Sequence, residues 1–92
     1  MYFYNDTDLY RVIGMHIKQY RKQANLTQIQ LAEQAKISIS YLSKLEAIGC
    51  DKSLSISVLN QIANALGVEI SEFFKEVSIY DTNNWLFVTN RG

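Results

Sequence analysis

Apolar residues in this chain recur at intervals of three and four, in short runs that each end on a residue suited to stopping a helix. Leu9, Val12, Ile13, Ile17 and Tyr20 make the first stripe. At 3.6 residues per turn such positions share one helical face. Thr7 or Asp8 is placed to cap the start of this helix, and Asn25, which tolerates a left-handed conformation, to stop it. A second helix follows Thr27, spans Gln28 to Ala35 and turns Leu31, Ala32 and Ala35 inward. After Lys36-Ile37-Ser38, a third helix capped by Ser38 or Ser40 reaches about Glu46, with Leu42 and Leu45 inward. Ala47 to Leu54, with Gly49 and Asp51, reads as a loop. Ser55 caps a fourth helix with Val58, Leu59, Ile62, Ala63 and Leu66 on one face, and Gly67 ends it. A fifth starts at Ser71 and runs through Phe73 and Phe74 to Val77. No proline interrupts any of these segments. The spacing predicts an all-α domain of five short helices.

The last stretch has a different pattern. Ser78-Ile79-Tyr80 and Trp85-Leu86-Phe87-Val88-Thr89 are β-branched and aromatic, and Asp81-Thr82-Asn83-Asn84 between them is turn-rich. It reads as a β-hairpin, or as an extension of the fifth helix followed by one strand. Six of the eleven aromatic residues lie at the two ends: Tyr2, Phe3, Tyr4, Tyr80, Trp85 and Phe87. Such residues need cover. Either they form a satellite cluster on the fifth helix, or Tyr80, Trp85 and Phe87 belong to a dimer interface, the expectation we favour. The chain thus divides into an N-terminal extension (1–8), a helical domain (9–76) and a tail (77–92).

Composition removes several classes of function. A 92-residue chain that is 48% hydrophobic suits one folded domain with one core. Lone Cys50 cannot form an internal disulfide, which points to a reducing, cytoplasmic setting. No apolar run approaches the ~18 residues of a membrane span, and Met1 to Asp6 carry no basic leader. His16 is the sole histidine and reads as a surface or boundary residue of the first helix. With no second metal-ligand candidate beside it, and with Gly14, Gly49, Gly67 and Gly92 scattered, neither a metal, a cofactor nor an enzyme activity is expected. Nine basic residues balance nine acidic ones, but not evenly. From Leu9 to Lys52 there are seven basic and three acidic residues, a net of +4, and the remainder carries −4. A basic segment of this size can meet a polyanion while the rest faces away.

Helix, three-residue break, helix, with small residues at the elbow, is the helix-turn-helix arrangement. The string is Leu26-Thr27-Gln28-Ile29-Gln30-Leu31-Ala32-Glu33-Gln34-Ala35, then Lys36-Ile37-Ser38, then Ile39-Ser40-Tyr41-Leu42-Ser43-Lys44-Leu45-Glu46. It resembles the phage-repressor and Cro-like, or Xre, family. Ile17-Lys18-Gln19-Tyr20-Arg21-Lys22 upstream, and Ile62-Ala63-Asn64-Ala65-Leu66-Gly67-Val68 and Ser71-Glu72-Phe73-Phe74 downstream, extend the match over roughly residues 9 to 76.

The resemblance implies a five-helix, lambda-repressor-like DNA-binding domain. Its third helix, residues 38–46, would lie in the major groove. That would bring Ser38, Ile39, Ser40, Tyr41, Ser43 and Lys44 to base edges and nearby phosphates. Gln28 would meet the DNA backbone and brace a base-reading side chain. Lys22, Lys36 and Lys52 would add charge around the footprint. Arg21 and Glu46 would form a structural ion pair tying the first helix to the end of the third. Two departures stand out. Lys36 occupies a turn position where the family commonly has glycine, and a left-handed lysine costs roughly 1 kcal/mol. Asp51 would oppose phosphate. The expected function is a dimeric, sequence-specific transcriptional regulator, a repressor, on a palindromic operator. The alternative is a protein-interaction module, such as an antitoxin whose tail covers a partner protein.

Overall fold

Asn5 is extended, and its Oδ1 accepts the Asp8 N–H at 2.9 Å; this cap starts α1, Asp6–Gln23. The computed structural model describes residues 5–48 and 54–75. Asn5, rather than Thr7 or Asp8, is the capping residue. With it in place, Asp6 and Asp8 fall within the first turn, where their carboxylates complement the exposed N–H groups of the helix. At the far end Asn25 (φ 60°) turns left-handed, and Leu26 N–H closes back on the Arg21 carbonyl at 3.1 Å.

The second helix, α2, is Gln28–Ala35. Thr27 Oγ1 accepts from Gln30 N–H at 3.0 Å, and Gln30 Oε1 accepts from Thr27 N–H at 2.9 Å, a reciprocal capping box. Lys36 ends α2 at φ 61°, ψ 43°. The third helix, α3, is Ile39–Ile48, two residues longer than its apolar pattern predicts. Ser38 Oγ caps it by accepting the Tyr41 N–H at 3.0 Å. The fourth, α4, is Ile56–Leu66, capped by Ser55 and ended by Gly67 at φ 74°.

The fifth element departs from expectation. Residues Ile70–Phe74 form a 3-10 helix, and Lys75 is already extended. Glu69 gives it no side-chain cap, and a nucleus this short tightens into i→i+3 bonds instead of propagating as an α-helix. Val77 and the tail residues Tyr80, Trp85 and Phe87 lie outside the described residues, as do Cys50 and Lys52.

In the packed domain α1 lies on α3 and on the 3-10 helix, while α2 lies on α4 and α3. The core takes one or more residues from every element: Ile17, Leu31, Leu42, Leu45, Ile62 and Phe73 are each at most 1% exposed. Burying side chains of this size contributes about 1.5–3 kcal/mol apiece. His16 is buried rather than at a boundary. Its Nε2–H donates to the Lys75 carbonyl at 2.8 Å, so the ring is held 59 residues away in sequence by a group no local pattern reveals.

Candidate nucleic-acid interface

One carboxylate organises the region where α1, α2 and α3 meet. Arg21 Nε donates to Glu46 Oε2 at 2.7 Å and Nη2 to Oε1 at 2.9 Å, a bidentate pair. The third guanidinium nitrogen, Nη1, donates to the Leu26 carbonyl at 2.8 Å. Gln28 Nε2 adds a third donor to the carboxylate, reaching Oε1 at 3.1 Å. Both ionic partners are buried. Removing either would leave an uncompensated interior charge, typically a loss of about 3–5 kcal/mol. The network joins the end of α1, the loop after it, the start of α2 and the end of α3, so it fixes how α3 projects from the body.

The two faces of α3 are chemically opposite. Leu42, Leu45 and Glu46 point inward and are buried. Ser40, Ser43, Lys44 and Ala47 are exposed, and Ile39 is 41% exposed. Positions 39 and 43, and 40 and 44, are each four residues apart, so they line one outward strip. Small hydroxyls, one ammonium and one aliphatic side chain make a surface low enough to enter a groove. They are also varied enough to donate, accept and touch a methyl group. Ser38 is exposed at the head of this strip, with its hydroxyl already accepting from Tyr41 N–H. Tyr41 is half-buried and packs against the rim of the core.

Lys22 and Lys36 are exposed, at the ends of α1 and α2 respectively. Gln28 is half-buried, with its amide committed to Glu46. That bond was not visible in the sequence, where the glutamine announces only a polar helix start. A cleft beside the end of α2 is lined by Gln34, Ala35, Lys36, Gln61, Asn64 and Ala65. Gln61 Nε2 donates across it to the Ala35 carbonyl at 2.9 Å, tying α4 to α2.

On the far side of α1, Tyr20 O–H donates to Glu72 Oε1 at 2.6 Å, and Lys75 Nζ pairs with Glu72 Oε2 at 2.9 Å. The Tyr20 ring meets Phe73 edge-on, with centroids 6.3 Å apart. The bond to Glu72, assisted by burial, pushes the Tyr20 phenol up to about 12. The same bond, with Lys75 beside it, holds the Glu72 carboxyl below its usual value. This seam holds α1 to the 3-10 helix and lies apart from the α3 strip. Among the described residues no group of three His, Cys, Asp or Glu side chains is arranged to hold a metal ion. No described helix is long and apolar enough to cross a membrane.

The Helix-turn-helix family model matches residues 17–73 of the chain. The immunity repressor protein of Bacillus phage phi105 is 42% identical over 67 residues, covering 73% of this chain and 45% of that protein. The transcriptional regulator SinR of Bacillus subtilis is 35% identical over 65 residues, or 71% of this chain and 58% of SinR. The chain therefore spans about half the length of the curated relatives it matches. Among solved structures, the restriction-modification controller protein C.AhdI of Aeromonas hydrophila superposes with a TM-score of 0.65 at 27% identity. That match covers 73% of this chain and 97% of the controller. The SinR–SinI complex contains a chain matching at a TM-score of 0.61 and 31% identity, over 82% of this chain and 66% of that one.

Proposed function

The chain belongs to the Xre-type helix-turn-helix family, a family of DNA-binding regulators and not of enzymes, and from that premise we propose that it is a repressor that binds a palindromic operator as a homodimer. The observation that carries the reading is the outward strip of α3. Its polar and small side chains are exposed while the same helix is locked to the body through Glu46. A helix read for sequence must be rigid and bare, because discrimination depends on side chains meeting base edges at fixed positions.

Lys44 is the natural donor to guanine O6 or N7, and Ser40 and Ser43 are adaptable partners beside it. Ile39 suits a thymine methyl. Gln28, steadied by Glu46, stands where the N-terminus of α2 meets a phosphate. Lys22 and Lys52 add charge around the footprint. One strip of this size reads only a few base pairs, so specificity calls for two copies on a two-fold site. Tyr80, Trp85 and Phe87 in the tail are our candidates for the contact between copies.

A mobility-shift titration of the chain against DNA from upstream of its own gene, at two salt concentrations, tests this. Steep salt dependence with a preferred sequence supports the reading; equal affinity for every sequence contradicts it. Light scattering of the chain ended after Glu76 tests the tail: loss of dimer mass is the expected result, and an unchanged mass removes those three residues from the interface. A second reading, a module that binds another protein, is favoured by Ile56 and Phe74, which are 70% and 37% exposed away from the core. It predicts a stable complex with a partner protein and no sequence preference on DNA.

A further inference from the structure

Among the described residues, three helices are closed by a left-handed residue: Asn25 at φ 60°, Lys36 at φ 61° and Gly67 at φ 74°. Glycine meets no Cβ penalty there and asparagine tolerates it, whereas lysine has neither excuse. The endings of α2 and α4 are otherwise the same. Lys36 N–H donates to the Ala32 and Glu33 carbonyls, and Ile37 N–H to Ala32 at 3.0 Å. Gly67 N–H donates to the Ala63 and Asn64 carbonyls, and Val68 N–H to Ala63 at 3.0 Å. The turn therefore has no need of a lysine, and glycine would serve it better.

Nor does the fold use the ammonium. Lys36 is exposed and makes no side-chain hydrogen bond or ion pair with another described residue. Glu33 is three residues back on the same helix, and Gln34, Gln61 and Asn64 line the same cleft, yet none of them holds it. A strained residue that no local contact rewards points to a role outside the fold. Its place narrows that role: Lys36 forms the elbow, two residues before the Ser38 cap of α3.

We propose that Lys36 is a phosphate anchor, a cation kept at the elbow at the expense of stability because it binds the phosphodiester backbone beside the groove that α3 enters. This rests on the reading of α3 as the groove-entering helix. A phosphate contact carries no sequence information, so Lys36 sets affinity and salt response and leaves preference to the α3 strip.

The test compares the full chain with Lys36→Gly and Lys36→Arg, by thermal melting and by fluorescence anisotropy on operator and unrelated duplexes over a salt series. Lys36→Gly should melt several degrees higher, since it removes the strain. It should bind every duplex more weakly by one common factor, and its log–log salt slope should be shallower by about one. The loss of affinity over a fourfold rise in salt would then be roughly threefold smaller than for the parent chain. Lys36→Arg should keep the parent's slope and melting point. A Lys36→Gly variant with the parent's affinity and slope overturns the proposal, and so does one that melts lower. Those results leave the DNA reading standing if the parent still prefers its operator; a parent that binds no DNA sinks both.

Discussion

Along the seam between α1 and the 3-10 helix, Tyr20, Glu72 and Lys75 are joined in a chain of bonds, and Phe73 is sealed beneath them. Along the outward strip of α3, Ser40, Ser43 and Lys44 make no side-chain hydrogen bond to another described residue. Both surfaces belong to one small domain. The difference lies in what completes them. The seam is satisfied from within, so its residues act on stability. The strip leaves its donors and acceptors open in water, where they cost the fold little and remain available to a ligand. Substitutions should therefore separate cleanly: seam changes move stability and not preference, strip changes the reverse.

The largest expected effect is at the seam. Phe73→Ala removes a fully buried ring and should destabilise the domain by about 3–5 kcal/mol in urea titration. At temperatures where the variant is still folded, its ranking of DNA sequences should match the parent's. A changed ranking would join the two surfaces and break the comparison.

A smaller effect isolates backbone strain at the left-handed ends of α2 and α4. A Cβ placed on Gly67 meets nothing within 4 Å, so Gly67→Ala tests φ without crowding. It should cost about 1 kcal/mol, opposite in sign to Lys36→Gly, and leave DNA affinity untouched. A loss of affinity in Gly67→Ala as large as that in Lys36→Gly would mean that the loss at the elbow does not report the lysine charge.

Smaller again is the pH response of Tyr20→Phe. Glu72 titrates below its ordinary value in the folded chain, so its contribution is present above the usual carboxylate range. That contribution is lost as pH falls through the depressed value. The Tyr20 phenol, raised from 10.0 to about 12, contributes fully below the ordinary tyrosine range, and its contribution is lost as pH rises through about 12. The stability gap between parent and variant should thus be flat near neutrality and close at both extremes. A gap that widens on acidification would contradict the bond.

Much of this architecture is legible in the sequence, for local reasons. Asn25 and Gly67 stop their helices, Thr27 and Ser55 cap theirs, and the stripes of α1 to α4 bury Ile17, Leu31, Leu42 and Ile62. Each depends on neighbours within a turn or two. What stayed hidden depends on partners far along the chain. His16 is bonded to the Lys75 carbonyl, Tyr20 to Glu72 and Gln28 to Glu46. The first cap is ambiguous in sequence because Asn5, Thr7 and Asp8 are all competent, and only backbone geometry chooses Asn5 among them. Phe73 and Phe74 carry a helical signal that does not separate α from 3-10, because it says nothing about a missing cap at Glu69.

The central claim is that the exposed strip of α3 reads DNA. The direct measurement is fluorescence anisotropy of the parent and Lys44→Ala on an operator and its single-base variants, with melting curves taken alongside. Lys44 is exposed, so its replacement should leave stability within about 0.5 kcal/mol of the parent. Discrimination should collapse at one base pair in each half-site, by about 1–3 kcal/mol, and persist at the others. A folded Lys44→Ala protein that ranks every operator variant as the parent does would contradict the claim.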